Sequence, residues 1–196
     1  MLVSLRARDE VFDRPEFLQD EARFHLLGQL SGFSDALRIK SSDGMLLYAQ
    51  TPGRNGWLWV DPFAAEDARR SRICELAERL DDVDLPGVIG DPAAARAFAD
   101  AYAARRRMAW TERLTLVPYE CRALRLAASA EGCLRKAGSA DRYTAALFLA
   151  GFSRDAYGER VPAFTQLPAA DRMIEAGELF FWTDGDECVA MANIAY

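Results

Sequence analysis

The clearest indication of the fold is the run Gly177-Glu178-Leu179-Phe180-Phe181-Trp182-Thr183-Asp184-Gly185-Asp186-Glu187-Cys188-Val189-Ala190-Met191-Ala192-Asn193-Ile194-Ala195-Tyr196. Mostly apolar residues make up 178–183 and 188–196, which is typical of two strands, and Asp184-Gly185 between them is typical of a tight turn. The run therefore predicts a β-hairpin. A helix over 168–176, which Gly177 would cap, precedes it.

Composition limits the class of protein. The chain has 196 residues, of which 51% are hydrophobic and 28% charged, with a net charge of -6. This length fits one large or two small domains. The negative charge disfavours a general nucleic-acid partner, which requires surplus Lys and Arg. The longest apolar run, 145–152, is too short to span a membrane, and the first ten residues lack a signal-peptide core. We therefore expect a cytoplasmic protein without a membrane or nucleic-acid partner.

The cysteines are scattered along the chain at Cys74, Cys121, Cys133 and Cys188, and the single histidine is His25. A structural zinc site needs about four clustered ligands, so we expect no metal site. The pattern favours reduced and mostly buried thiols. His25 is either a general base or a partly buried, hydrogen-bonded side chain.

The first half of the chain alternates helical and extended patterns. Asp13 and Pro15 predict the start of a helix over 15–30, with Leu18, Ala22, Leu26 and Leu30 on one face. A hairpin over 36–51 with an Asp43-Gly44 turn follows. The remaining predictions are a strand at 57–60, a helix at 65–80, a strand at 88–89, a helix after Asp91-Pro92, a strand at 108–117 and a crossover at 118–128.

The second half begins with a predicted strand at 133–137 and a helix from 139 or 140 to 157. Together with the helix and hairpin at its end, this half has the order strand, helix, helix, strand, strand. The boundary between the halves is expected between residues 128 and 129.

Five segments, in this order and spacing, resemble bacterial GNAT N-acetyltransferases. They are Leu85-Pro86-Gly87-Val88-Ile89-Gly90, Arg113-Leu114-Thr115-Leu116, Leu134-Arg135-Lys136-Ala137, Ala150-Gly151-Phe152 and Gly177-Glu178-Leu179-Phe180-Phe181-Trp182. The resemblance implies an α/β fold with mixed, largely antiparallel sheets flanked by helices. It makes 1–128 a GNAT-like unit and 129–196 the first half of a second one, truncated after its third strand.

The same resemblance implies where acetyl-CoA would bind. In the family, an [RQ]xxGx[GA] turn after the fourth strand holds the pyrophosphate through backbone amides and a helix N-terminus. The corresponding segment here, 61–67, contains Pro62 and three acids but no glycine, and we expect its acids to cap the following helix. In the second unit the chain ends before this turn. We therefore transfer no catalytic residue and expect no cofactor for this chain, with acetyl-CoA expected only if the missing half is present.

Two functions follow as alternatives. The first is a GNAT-like N-acetyltransferase of unknown acyl acceptor that is inactive as this isolated chain. The second is a non-catalytic binding or assembly module that acts as a homodimer.

Several side chains are candidates for binding. Phe148, Phe152, Tyr157 and Trp182 would line a substrate groove or form part of the core. Arg69, Arg70 and Arg72 would bind a phosphate or pair with nearby glutamates, and Arg105, Arg106 and Arg107 would contact nucleic acid or complement a helix C-terminus.

The last strand carries the predicted self-association site. Val189, Met191 and Ile194 follow Glu187 without another charge, and the resemblance places a further strand beside them. A bare apolar edge of this kind is a template for pairing with a second chain. We therefore expect a homodimer through Val189, Met191 and Ile194.

Overall fold

The chain forms two compact units, Met1–Ala123 and Leu124–Tyr196. The computed structural model describes residues 1–117, 119, 121, 123 and 130–194. The predicted boundary between residues 128 and 129 lies outside the described residues, as do most of the predicted crossover at 118–128 and the last two residues of the predicted final strand.

The first unit is a three-layer α/β structure. Its strands are β1 (Leu2–Ser4), β2 (Leu37–Ser41), β3 (Leu46–Gln50), β4 (Gly56–Val60) and β5 (Val88–Gly90), and its helices are α1 (Pro15–Leu18), α2 (Glu21–Leu30), α3 (Glu66–Arg79) and α4 (Pro92–Arg106), with a short 3-10 helix at Glu10–Asp13. The sheet order follows the sequence from β1 to β5. The first three pairs are antiparallel and β4 pairs with β5 in parallel.

Both faces of this sheet are covered. On one face Tyr48 and Leu58 pack with Leu76 and Phe98 of α3 and α4. On the other face Leu47, Ala49 and Trp59 pack with side chains of α1 and α2. All five residues of β3 are buried because it lies between the two layers. Ile73, Leu76 and Ala77 of α3 and Phe98 and Tyr102 of α4 are buried in this core.

The predicted helix over 15–30 is interrupted. It divides into α1 and α2, and Phe24 has a non-helical backbone. The predicted cap by Asp13 was wrong, since the N-cap of α1 is Arg14, which makes no side-chain cap, and Asp13 ends a 3-10 helix that Asp9 caps. The predicted Leu18 face was also wrong, since Leu18 is 48% exposed whereas Phe17, Phe24 and Leu27 are buried. The aromatic face packs against Trp59, with a Phe17 to Trp59 ring distance of 5.4 Å.

The predicted strand over 108–117 was wrong. The chain reverses at Arg107, which has a left-handed backbone, and the segment after it is neither helix nor strand. Its polar atoms bond to α4: the indole of Trp110 donates to Asp100 at 2.9 Å, and Arg96 donates to Glu112 at 2.8 Å.

The second unit has one three-stranded antiparallel sheet with helices on one face. Its elements are β6 (Cys133–Lys136), α5 (Arg142–Tyr157), α6 (Leu167–Ala176), β7 (Leu179–Asp184) and β8 (Glu187–Asn193), with 3-10 helices at Ser139–Asp141 and Ala163–Gln166. Gly177 ends α6 in the left-handed conformation, as predicted. The hairpin of β7 and β8 is confirmed, but the predicted turn at Asp184-Gly185 was wrong by one residue, since Asp184 pairs with Glu187 and the two-residue turn is Gly185-Asp186.

One face of β7 supplies the core of this unit. Leu179 and Phe181 are fully buried against Ala145, Ala146 and Ala170 of α5 and α6. The predicted fold class, α/β with mixed and largely antiparallel sheets flanked by helices, is therefore confirmed.

Candidate functional site

The candidate site lies where β4 and β5 end. The two strands are parallel, so their carboxyl ends meet at one edge of the sheet, and α3 and α4 begin beyond them. Open α/β sheets characteristically bind ligands at this edge. Both strands run into an Asp-Pro pair, Asp61-Pro62 after β4 and Asp91-Pro92 after β5.

The two Asp-Pro pairs differ in their hydrogen bonds. Asp91 caps α4 by accepting a hydrogen bond from the amide of Ala93 at 3.0 Å. Asp61 accepts from the amide of Phe63 at 2.8 Å, whereas the N-cap of α3 is Ala65, whose methyl group accepts no hydrogen bond. The expectation that the acids of 61–67 cap α3 through their side chains was therefore wrong. Glu66 and Asp67 instead place negative charge in its first turn.

Trp59, near the end of β4, contributes to two clefts. The larger cleft has a volume of about 360 Å³. It is lined by Arg14, Glu16, Asp43, Gly44, Met45, Trp59 and Asp61. Its rim is fixed by Arg14, which donates to the backbone oxygen of Asp43 at 2.7 Å.

Asp43 is the most strongly bonded carboxylate of this cleft. Arg72 of α3 donates to it at 2.6 Å, and it also accepts from the hydroxyl of Ser41 and the amide of Met45. Burial opposes ionisation of Asp43, but these hydrogen bonds outweigh it and hold its pKa at about 2. Arg72 also pairs with Glu75, which in turn binds the N-terminal amine.

The smaller cleft, of about 100 Å³, lies between the starts of α3 and α4. It is lined by Asp20, Arg23, Phe24, Trp59, Val60, Pro62, Arg69 and Asp91. Asp20 accepts from the indole of Trp59 at 3.1 Å and from Arg23 at 3.2 Å. Arg23 also donates to Asp91 at 3.4 Å, so one guanidinium serves two carboxylates.

Arg69 differs from its neighbours in this cleft. Its Nε atom is buried and has no hydrogen-bond partner among the described residues. A buried donor without a partner costs on the order of 1–3 kcal/mol, so this nitrogen calls for an explanation.

The predicted groove residues of the second unit fall into separate places. Phe152 and Tyr157 contact each other, with ring centroids 5.6 Å apart, and both are exposed. Phe148 packs on Phe181 in the core, at 5.7 Å. Trp182 follows Phe181 and so points to the opposite face of the sheet, where its indole donates to the backbone of Glu131 at 3.1 Å.

The residues predicted at the self-association edge all lie on or beside β8. Within the described residues, β8 pairs only with β7 and forms an edge of the sheet. Val189 is 50% exposed and Ile194 43% exposed, whereas Met191 packs partly against the core. The pairing register shifts between Trp182 and Thr183, which makes Val189 a bulge residue.

The other charged candidates have mostly structural partners. Arg72 bonds to Asp43 and Glu75, Arg105 pairs with Asp81, and Arg106 donates to the backbone of Asp81. His25 is exposed and its ring contacts the backbone oxygen of Ala22 at 3.3 Å, so the expectation of a partly buried histidine was wrong.

The cysteines are accessible, contrary to the prediction of buried thiols. All four are free thiols, and Cys74, Cys121 and Cys133 are exposed. In the described part of the chain, no group of three His, Cys, Asp or Glu side chains could hold a metal ion. No helix among the described residues has the length and hydropathy needed to cross a membrane.

Comparisons with known proteins give no relative. No protein-family model, curated protein or solved structure matches the chain significantly.

Sequence reasoning singled out Arg69 but missed its neighbours Asp20, Arg23, Trp59 and Asp91. The repeated strand-Asp-Pro-helix pattern at Asp61 and Asp91 was a usable signal for the edge of the sheet. The indole of Trp59 and the side chain of Asp20 are 39 positions apart, and nothing in a local pattern indicates that they meet.

Proposed function

We propose that this chain is a GNAT-like N-acetyltransferase homologue whose first unit does not bind acetyl-CoA tightly. The observation that carries the proposal is the arrangement around β4. The fourth strand is followed by a short turn and by α3, which is the order that the resemblance implies for the pyrophosphate site.

The chemistry of this turn supports the part of the proposal that the first unit does not bind acetyl-CoA tightly. Pro62 has no amide hydrogen to donate, and Glu66 and Asp67 place negative charge in the first turn of α3. A pyrophosphate at this position would be repelled by both carboxylates. The arrangement of the second unit, strand, two helices and hairpin, supports the same resemblance in its opening elements.

Calorimetry with acetyl-CoA tests the proposal. We expect the 196-residue chain to bind acetyl-CoA with a Kd weaker than about 100 μM, because it has no glycine-rich turn at residues 61–67. A sub-micromolar Kd would contradict the proposal. Free CoA serves as the matched ligand, since a signal of equal size from both would indicate binding that ignores the acetyl group.

A second function is favoured by the edge strand β8. We propose that the chain also forms homodimers through Val189, Met191 and Ile194, as a binding or assembly module would. Support comes from the exposure of Val189 and Ile194 and from the uncharged sequence after Glu187.

We further propose a cytoplasmic location. All four cysteines are free thiols, which fits a reducing compartment. Recovery of the native protein with a disulfide between any of them would count against this location.

A further inference from the structure

We propose that the smaller cleft, between the starts of α3 and α4, binds a small zwitterion of the amino-acid class. In the bound state a carboxylate would face Arg69 and an ammonium group would face Asp20 and Asp91. This inference does not depend on the resemblance to acetyltransferases.

The positive side of the cleft is the guanidinium of Arg69. Its Nε is the buried donor without a partner, and no described residue forms an ion pair with it. A carboxylate is the group that best matches a guanidinium, because it accepts two parallel hydrogen bonds. A ligand carboxylate would therefore compensate the charge of Arg69.

The negative side of the cleft is the pair Asp20 and Asp91. Both carboxylates depend on the same guanidinium, that of Arg23, at 3.2 and 3.4 Å. These three groups together carry one excess negative charge. An ammonium group would balance it, and the carboxylates retain lone pairs that can accept its hydrogen bonds.

The charges of the cleft thus discriminate between classes of ligand. With Arg69 included, the four charged groups are neutral in sum but separated in space. A simple anion would meet two carboxylates, and a simple cation would meet two guanidinium groups. A zwitterion can pair its carboxylate with Arg69 and its ammonium group with Asp20 and Asp91.

The volume of the cleft limits the size of the ligand that it can bind. A water molecule needs about 10–15 Å³ of such volume, so the cleft of about 100 Å³ accommodates several non-hydrogen atoms. Phe24, Val60 and Pro62 supply apolar wall, which suits a small side chain. Glycine and alanine are of this size, whereas a cofactor such as acetyl-CoA is far larger.

Titration of the full chain with three ligands tests the proposal. The probes are glycine, acetate and methylammonium at constant ionic strength, and the readout is ¹⁵N-edited NMR of the Trp59 indole N–H and the Arg69 Nε–H. The indole signal is assigned by its absence in Trp59→Phe. We expect saturable shifts with glycine at a Kd in the millimolar range, as suits a ligand of about five non-hydrogen atoms. Acetate and methylammonium should bind at least about tenfold more weakly.

Variants assign the two ends of the ligand. Arg69→Gln should weaken glycine binding at least about tenfold, and Asp91→Asn should weaken it less because Asp20 remains. Arg70→Gln is the matched control, because Arg70 is the exposed neighbour of Arg69 and does not line the cleft. Glycine affinity should be unchanged in that control.

The following outcomes would overturn the proposal. Equal affinity for acetate and glycine would mean a simple anion site, and equal affinity for methylammonium and glycine a simple cation site. No saturable shift, or unchanged glycine affinity in Arg69→Gln, would mean that no such site exists. The comparison of the three ligands uses the unaltered chain, so it remains decisive even if Arg69→Gln does not fold.

Discussion

At the scale of single residues, Asp43 joins the turn between β2 and β3 to helix α3. It is 29 positions from Arg72 in sequence, and its carboxylate accepts two hydrogen bonds from that guanidinium at 2.6 and 3.0 Å. Both side chains are less than a third exposed. Such a pair is stronger than a solvent-exposed ion pair, because less water screens it and because two guanidinium donors of Arg72, Nε and Nη2, converge on one oxygen of Asp43.

We predict that Asp43→Asn lowers the free energy of unfolding by about 1–2 kcal/mol at pH 7. The variant keeps the shape of the side chain but loses the charge that Arg72 and Ser41 stabilise. Urea unfolding followed by circular dichroism measures the difference. Asp35→Asn is the control, since Asp35 is exposed, and its effect should stay within about 0.5 kcal/mol.

The lowered pKa of Asp43 predicts that the effect of Asp43→Asn on the free energy of unfolding depends on pH. The pKa of Asp43 in the folded chain, about 2, lies below the usual 3.8, so its ionised form favours the folded state. This contribution is present above about pH 4 and disappears as the pH falls towards 2. The difference in unfolding free energy between the unaltered chain and Asp43→Asn should therefore shrink between pH 5 and pH 2. A difference that stays constant over this range would contradict the assigned pKa.

At the scale of elements, the parallel pairing of β4 and β5 requires a glycine. A Cβ at Gly90 would lie 2.6 Å from the backbone oxygen of Leu58, an atom that cannot move without breaking the strand pair. We predict that Gly90→Ala lowers the free energy of unfolding by about 2–3 kcal/mol. Thermal unfolding followed by circular dichroism gives the value.

Gly28 of α2 provides the matched comparison. A Cβ there would meet nothing within 4 Å, and alanine is the better helix former by about 0.5–1 kcal/mol. Gly28→Ala should therefore raise the midpoint temperature of unfolding, whereas Gly90→Ala should lower it. Equal effects of the two substitutions would mean that the close approach at Leu58 is not what constrains β5.

The elements that sequence predicts well are those with strong local signals. The helices α3 and α4 have regular apolar spacing, and α4 begins at the predicted Asp91-Pro92 cap. The hairpins around Asp43-Gly44 and after Asp184 have turn residues that permit positive backbone angles.

The elements that sequence predicts badly are those decided by distant contacts. The break between α1 and α2 lies at Gln19-Asp20, where the side chain of Asp20 bonds to Trp59 and Arg23. The alternating segment after Met108 fits a strand, yet its side chains bond to α4. A two-residue alternation indicates an extended chain, but it does not say whether a sheet or a helix lies alongside.

At the scale of the whole molecule, most of the candidate site could not be predicted from sequence, because contacts between distant residues assemble it. Its clefts combine the ends of β4 and β5 with side chains from α2, α3 and the β2–β3 turn. The positions of the strand ends follow from sequence, whereas the placement of Asp20 and Arg23 at the start of α2 depends on contacts with distant residues such as Trp59. Local patterns therefore locate the edge of the sheet but not the charges assembled there.

The last prediction concerns self-association of the chain through β8. The bulge at Val189 interrupts β8 close to the hairpin turn. The flat edge that remains available for pairing is therefore 190–194. An antiparallel pair of two such edges would be related by a two-fold axis and would give a closed dimer.

We expect light scattering at micromolar concentration to report twice the monomer mass of 21.8 kDa. Ile194→Lys should weaken the dimer at least about tenfold, because Ile194 is 43% exposed and a lysine there places an unpaired charge in an otherwise apolar edge. Met191→Lys should also weaken it, but Met191 packs partly against the core, so its folding must be checked by circular dichroism. Arg106→Gln, in the other unit, is the control and should leave the mass unchanged. A stable monomer at these concentrations would rule out the dimer, and unchanged dimerisation in a folded Ile194→Lys variant would place the interface elsewhere.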